Sequence, residues 1–405
     1  MATIRVVDAC MGRGKTSAAA AYMASMKGKR NFLYITPYLD EVDRICDMCD
    51  FSQPDTERGA KILDLKSMLR AGKDIASTHA LFYLLDAEAL ELIRERKYSI
   101  IIDESIEMIR RENISKKDFD LIIQHLAKVE ESGRVVWVDN NYEGKFEDYM
   151  EMAISGSLYV RDTAMLYVMN PDVLNAFDEV IMMTYLFGGQ YQKAYLDFFG
   201  FKYTICGIDI NESDDGNIVF RFTEYPDRPP AMNYKDLINI INDDRLNAIG
   251  EPKYALSKNW FEQRSKDSAD IKRLRANLDN FIRRKCGASA TSVIWTCFKG
   301  HHEKLIGTGG RYRGSFLSLT ARATNRYRDR TVVAYVANRF IDPNVLKFFA
   351  DEGITIDTDE FALSEMLQFI WRSAIRDGKK ITVYIPSKRM RELLIAWINQ
   401  RSKEV

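Results

Sequence analysis

The sequence predicts an α/β protein in which two parallel-sheet halves are joined by a partly helical connector. Three observations predict it. Short β-rich runs alternate with helical stretches over residues 1–205, the rhythm breaks over 206–286, and it returns over 287–405. Near-continuous apolar strands alternating with helices are the pattern of a parallel sheet covered on both faces. These three zones are the expected first domain, connector or inserted piece, and second domain.

In the first zone the β-rich runs are Ile4–Val7, Phe32–Thr36, Asp74–Thr78, Ser99–Asp103, Val135–Asp139 and Val180–Tyr185. Lys61–Ala71, Ala80–Lys97 and Lys117–Glu131 read as the helices between them. The second zone opens with an acidic stretch. Gly207–Arg245 holds nine acids against four bases, and three of the nine prolines. Tyr254–Lys285 then reads as one or two long polar helices. The third zone has β-rich runs at Ser292–Phe298, Phe316–Thr320, Val332–Ala337 and Ile381–Ile385. It is basic in two places: His301–Arg339 and Trp371–Arg401 each hold eight bases against two acids.

Composition excludes several classes. Of 405 residues, 46% are apolar and 29% charged, so the chain can bury sizeable cores. Lys+Arg and Asp+Glu are 58 each, which excludes a uniformly basic nucleic-acid coat and an acidic disordered tail. No apolar run approaches the roughly 18 residues of a membrane span, and the expectation is a soluble protein. The small apolar stretch Ser17–Met26 lacks the continuous core of a signal peptide. Six cysteines are too sparse for a disulfide framework, which suits a reducing compartment. Cys46 and Cys49 have zinc-knuckle spacing, but no second Cys or His pair lies nearby, so they read as helix-face thiols; the adjacent His301 and His302 are read as equally ordinary.

Two motifs carry chemistry. Ile4–Asp8 runs into Ala9-Cys-Met-Gly12-Arg13-Gly14-Lys15-Thr16-Ser17, and a helix of small residues follows. A strand, a Gly-rich loop ending Gly-Lys-Thr and a helix make a phosphate-binding loop. The glycines let backbone N–H groups turn onto phosphates, and the helix presents its positive end. Lys15 is expected to reach the β- and γ-phosphates, and Thr16 to ligate Mg²⁺. The second motif is an acid pair at the end of an apolar strand, Ile100-Ile-Ile-Asp103-Glu104. Asp103 is expected to hold the metal, and Glu104 to orient or deprotonate the attacking water. Together they point to hydrolysis of a nucleoside triphosphate.

Ala9-x-x-Gly-x-Gly-Lys-Thr16 resembles motif I of superfamily 2 helicases, and Asp103-Glu104-Ser-Ile resembles their motif II. Thr36 in Ile-Thr-Pro-Tyr38 stands where motif Ia is expected, Thr78 in the following Thr-containing motif, and Thr184 where motif III is expected. Thr296 in Ile294-Trp-Thr resembles motif IV, and Arg322 in Thr320-Ala-Arg-Ala-Thr-Asn325 a diverged motif V. Gln368-x-x-Trp371-Arg372-x-x-x-Arg376 resembles motif VI, with Trp371 in place of a glycine and the last arginine one residue late. Either Arg372 or Arg376 can therefore be the arginine finger. The chain is similar, in both halves, to helicase-like proteins encoded by bacteriophages. The resemblance implies two RecA-like domains, ATP and Mg²⁺ as cofactors, and a helicase or translocase. It also implies a nucleic-acid partner, DNA in preference to RNA, replication proteins as further partners, and the host cytoplasm. Eight residues precede the loop, so ATP is implied by the resemblance and not read from an adenine-binding segment. Two other readings stay open. One is a nucleotide-dependent clamp that grips nucleic acid without unwinding it. The other is a packaging ATPase with a nuclease half, for which Asp351, Glu352, Asp357, Asp359 and Glu360 are the candidate acids.

Overall fold

The computed structural model describes residues 2–56, 60–212, 216–227, 233–307, 309–319 and 325–402. The chain forms two compact units, Met1–Arg228 with Ile341–Asp357, and Pro229–Phe340 with Thr358–Val405.

The first unit contains β1 (Thr3–Asp8), β2 (Asn31–Thr36), β3 (Ile75–Thr78) and β4 (Tyr98–Asp103). An inserted piece follows, with β5 (Ile109–Arg111), β6 (Ala127–Val129), β7 (Val135–Trp137), β8 (Leu158–Arg161) and β9 (Ala164–Val168). Then come β10 (Glu179–Thr184), β11 (Tyr203–Glu212) and β12 (Ile218–Thr223). The main sheet has seven strands in the order β12-β11-β1-β10-β4-β2-β3. Every neighbouring pair is parallel except β11–β12, an antiparallel hairpin on the outer edge. β4 and β10 are buried along their whole length, which is why their sequences run apolar without alternation. Helix α1 (Lys15–Ser25) closes onto this sheet through Ala18, Ala19, Ala20 and Met23, small side chains that let helix and strands approach. The parallel strands end on one edge, and the turns after β1, β2, β4 and β10 share it. In open parallel sheets that edge is where ligands bind.

The inserted piece corrects two expectations. Val135–Asp139 is no strand of the parallel sheet: β7 pairs antiparallel with β6 in a two-stranded sheet of its own. The helix expected over Lys117–Glu131 stops at Leu121, continues as a π-turn to Leu126, and turns extended at Ala127. The cause is the hairpin turn that follows, where Gly133 takes φ +83° and its N–H donates to Glu130 O at 2.9 Å. β5, β9 and β8 form a three-stranded antiparallel sheet beside the hairpin. Phe119, Ile122, Val135, Trp137, Phe146, Leu158 and Met165 give the piece a core separate from that of the main sheet.

The segment 206–286 divides between the units. Through Arg228 it belongs to the first, where most of β11 and all of β12 extend the sheet, and from Pro229 it belongs to the second. The first unit also receives Ile341–Asp357 from the far half of the chain. Phe348 of the helix Pro343–Ala350 packs edge-on against Tyr159 at 5.8 Å and, tilted, against Phe198 at 4.9 Å. Asp351 and Glu352, two of the acids of the nuclease reading, pair with Arg161.

The second unit is a four-stranded, wholly parallel sheet, β13 (Ile238–Ile240), β14 (Val293–Thr296), β15 (Val332–Tyr335) and β16 (Ile381–Tyr384), in the order β13-β16-β15-β14. The helix Ala269–Asn280, capped by Ser268, buries Ile271, Leu274 and Leu278 with Trp295 and Tyr384. Only Phe316 of the expected Phe316–Thr320 strand pairs, by a single bridge to Trp295, and Thr320 lies outside the described residues. Both sheets match the α/β class read from the sequence.

Candidate nucleotide-binding site

β1 delivers the chain to the carboxyl edge at Asp8, and the loop Ala9–Gly14 returns it into α1. Gly12 and Gly14 take φ +80° and +82°, a left-handed backbone that residues with a Cβ rarely adopt. Gly14 is the N-cap, and no side chain caps the helix, so its first N–H groups are not claimed by a capping oxygen. The Lys15 ammonium folds back over the loop and donates to Ala9 O at 2.6 Å and Cys10 O at 3.2 Å. Burial lowers its pKa, against the pull of Cys10, Asp103, Glu104 and Asp8. A partly desolvated ammonium inside a ring of backbone dipoles suits a multiply charged phosphate. Ala9 is fully buried; Arg13, Thr16 and Ser17 are half-buried.

The acid pair stands on the same edge, two strands from β1, with β10 between. Asp103 is 8% exposed. Burial pushes its carboxyl up to about 7, with the adjacent Glu104 charge adding to the shift. Its Oδ2 accepts the Tyr34 hydroxyl at 2.8 Å, and its backbone oxygen lies 2.9 Å from His79 Nε2. The nearby Thr16 side chain lowers the Tyr34 pKa slightly against the burial that raises it, so one phenol stands beside both the loop threonine and the strand-end aspartate. Glu104 takes φ +62° and is held there by its N–H, which donates to Met183 O at 3.1 Å. That strained backbone costs on the order of 1–3 kcal/mol, and it turns the Glu104 side chain away from the strand direction. Its Oε2 accepts the Tyr38 hydroxyl at 2.6 Å.

The threonines divide. Thr36 ends β2, fully buried, with Oγ1 unpartnered. Thr184 ends β10, 3.5 Å from Ser105 Oγ, which also reaches Gln190 at 3.2 Å. Thr78 ends β3. These three, with Lys15, Thr16, Asp103 and Glu104, lie on one edge of one sheet. In the second unit Thr296 ends β14, fully buried, with Oγ1 unpartnered. Gln368 is half-buried in the last turn of the helix Thr358–Ile370. Beyond it Trp371 packs edge-on against Tyr234 at 5.6 Å and Trp397 at 5.5 Å, so the residue in the glycine position fills an aromatic cluster. Arg372 is half-buried with Nη1 unpartnered, and Arg376 is exposed. Ala374 N donates to Arg330 O at 2.8 Å, which places this turn beside the start of β15. Thr296 and the two arginines therefore occupy opposite edges of the second sheet. Arg322 lies outside the described residues.

Sequence reasoning missed Asp8, Tyr34, Tyr38 and Asp227. Asp8 accepts Phe187 N at 3.1 Å, and burial raises its pKa. A tyrosine inside an apolar strand reads as core, and only the β2–β4 register brings Tyr34 to Asp103. Among the described residues no group of three or more His, Cys, Asp or Glu is placed to hold a metal ion. A hydroxyl and one carboxylate suit Mg²⁺, which takes its other ligands from phosphate and water.

A family model described as the YonV C-terminal Rossmann-like domain matches residues 232–398, and one described as the YonV middle domain matches residues 109–167, the inserted piece with its own core. The "SPbeta prophage-derived uncharacterized protein YonV" of Bacillus subtilis (strain 168) is 37% identical over 418 residues, covering 99% of this chain and all of that protein. Among solved structures, one described as "XPD_APO" is similar with a TM-score of 0.50 at 13% identity, over 99% of this chain and 95% of the other. An Xpd4 structure from S. tokodaii aligns with a TM-score of 0.45 at 14% identity, over 98% and 94%. The first of these likenesses is one of fold.

Proposed function

The chain belongs to the YonV family, and we propose that it is an ATP- and Mg²⁺-dependent nucleic-acid motor of superfamily 2 type, a helicase or translocase acting on DNA in phage replication or recombination. The observation that carries this reading is that the Gly12–Thr16 loop after β1 and the Asp103-Glu104 pair after β4 stand on one edge of one parallel sheet, with the Tyr34 hydroxyl on Asp103.

The residues fit the groups they are assigned. Gly12, Gly14 and the start of α1 cradle the phosphates, and Lys15 exchanges its loop carbonyls for phosphate oxygens. Thr16 and Asp103 would hold Mg²⁺, whose charge would neutralise phosphate oxygens. As a ligand Asp103 would be ionised, its proton released to solvent, against the burial that favours the neutral form. Glu104, held at Oε2 by Tyr38, keeps Oε1 to accept a proton from the attacking water. From the second unit, Arg372 or Arg376 stabilises charge on the γ-phosphate, with Gln368 as its neighbour. Arg372 Nη1, buried and unpartnered, supports that role. Thr36, Thr78, Thr184, Thr296 and Arg322 are assigned to the nucleic-acid track.

The test is ATP hydrolysis by the wild type and Glu104→Gln, alone and with single-stranded DNA, forked duplex and RNA. Stimulation by DNA that is lost in the variant is the expected result, and separation of the fork distinguishes a helicase from a clamp. Hydrolysis that no nucleic acid stimulates refutes the motor reading.

A further inference from the structure

The phosphate loop is fastened to a part of the chain that phosphate chemistry does not call for. Arg13 sits between the two left-handed glycines. Its Nε lies 3.3 Å from each carboxylate oxygen of Asp227, and its Nη2 lies 3.2 Å from Asp227 Oδ1 and 3.0 Å from Ile208 O. The pair is withdrawn from water, with the Arg13 side chain 11% exposed and that of Asp227 5%. The same carboxylate accepts the Ile208 N–H at 3.3 Å.

The segment carrying Asp227 is itself seated. A Cβ on Gly207 would lie 2.5 Å from the Asp227 backbone and 2.8 Å from Tyr225 O, so the close approach needs glycine at that place in β11. Gly207 N donates to Thr223 Oγ1 at 3.2 Å, and that hydroxyl donates to Tyr225 O at 2.8 Å. The hairpin touches the loop a second time: a Cβ on Gly14 would fall 2.4 Å from the Phe220 ring. Asp227 also stands one residue before the first unit ends at Arg228.

We propose that Asp227 is a positioning residue of the phosphate loop: it fixes Arg13, and through Arg13 the Gly12–Thr16 turn, so that triphosphate affinity is set at the point where the chain leaves the first unit. The inference rests on the reading of this loop as a nucleotide site. Its physics is preorganisation. Two glycines flanking one residue give a loop with little conformational preference of its own, and ordering it on binding costs affinity unless the order exists beforehand. The buried ion pair and the Phe220 ring supply that order. Because coupling free energies are reciprocal, nucleotide binding acts back on Asp227 by the same factor.

The experiment measures Mg²⁺-ATP binding by calorimetry and steady-state hydrolysis for the wild type, Asp227→Asn, Arg13→Gln and the double variant. Asp227→Asn should raise Kd and KM roughly tenfold with kcat within about threefold, the signature of lost preorganisation. The double variant should bind no worse than the weaker single one, because either change releases the same strap. Amide exchange at Ile208 should slow when nucleotide binds the wild type and not when it binds Asp227→Asn. A Kd for Asp227→Asn within about twofold of wild type, or single penalties that multiply in the double variant, overturns the proposal. Should Asp227→Asn fail to fold, Asp227→Glu keeps the charge and displaces it by one methylene. It should show a smaller rise in KM, and no rise overturns the proposal. Wild-type protein that binds no ATP refutes the nucleotide site itself, an outcome distinct from unaltered binding in the variants.

Discussion

Asp103→Asn should make the metal-free protein more stable at neutral pH and abolish hydrolysis. Asp103 lies at the end of a strand buried on both faces, and burial, with Glu104 beside it, raises its carboxyl from 3.8 to about 7. Between those values the folded protein keeps a proton that the unfolded chain has released. The stability this gives is complete below the unfolded value and is lost as pH rises through about 7. At pH 8 the fold carries an ionised buried carboxylate. A shift of about three units at about 1.4 kcal/mol each sets the cost at up to ~4 kcal/mol. Asn never ionises, and its side-chain oxygen still accepts the Tyr34 hydroxyl that now bonds Oδ2. Urea unfolding in the presence of EDTA, followed by amide exchange in β4, reads the first unit directly. The gain should be greatest near pH 8 and vanish near pH 4. A gain that does not vary with pH, or an Asn variant less stable at pH 8, refutes the claim that burial of this carboxyl opposes its charge.

Lys15→Ala should lower hydrolysis by about a hundredfold or more, since the loop's other cation, the Arg13 guanidinium, is already paired with Asp227. The Lys15 ammonium donates to the Ala9 and Cys10 carbonyls of its own loop, so the unfolding midpoint should stay near wild type. Gly14→Ala should destabilise the first unit by about 1–3 kcal/mol in thermal melts, because φ +82° strains a residue with a Cβ and the Phe220 ring must move. Arg372→Ala and Arg376→Ala should separate: the arginine finger's loss should cut turnover by roughly 10³-fold or more at little change in nucleotide Kd, and the other's loss should not. Equal small effects in single-turnover measurements would remove both from the chemistry.

The strand–Gly-rich loop–helix and the strand-end acid pair were legible as local structure because each is a contiguous run whose context is local. Gly-Lys-Thr needs only a strand before it and a helix after it, and Asp103-Glu104 needs only the end of an apolar strand. Eight of the ten expected β-rich runs are strands of the two parallel sheets for the same reason: a buried parallel strand is a short apolar word. The misses are equally physical. Lys117–Glu131 keeps a helical spacing past Leu126, yet the gain from pairing Ala127–Val129 with Val135–Trp137 outweighs that local preference. The acidic stretch after residue 206 read as a connector because half of its hairpin faces solvent, and strand pairing leaves no mark in net charge.

By itself, then, the sequence determined the α/β class, the loop glycines and the positions of the candidate catalytic residues along the chain. Tertiary structure alone decided that β10 lies between β1 and β4, so that Thr184 stands between the loop and the acids. It decided that Tyr34 and Tyr38 turn their hydroxyls to Asp103 and Glu104, and that Ile341–Asp357 returns to the first unit. It also joined Arg13 to Asp227, 214 residues away. Periodicity records which face of an element is apolar. Which edge becomes its neighbour depends on complementary surfaces far apart in the chain, and no local pattern encodes that.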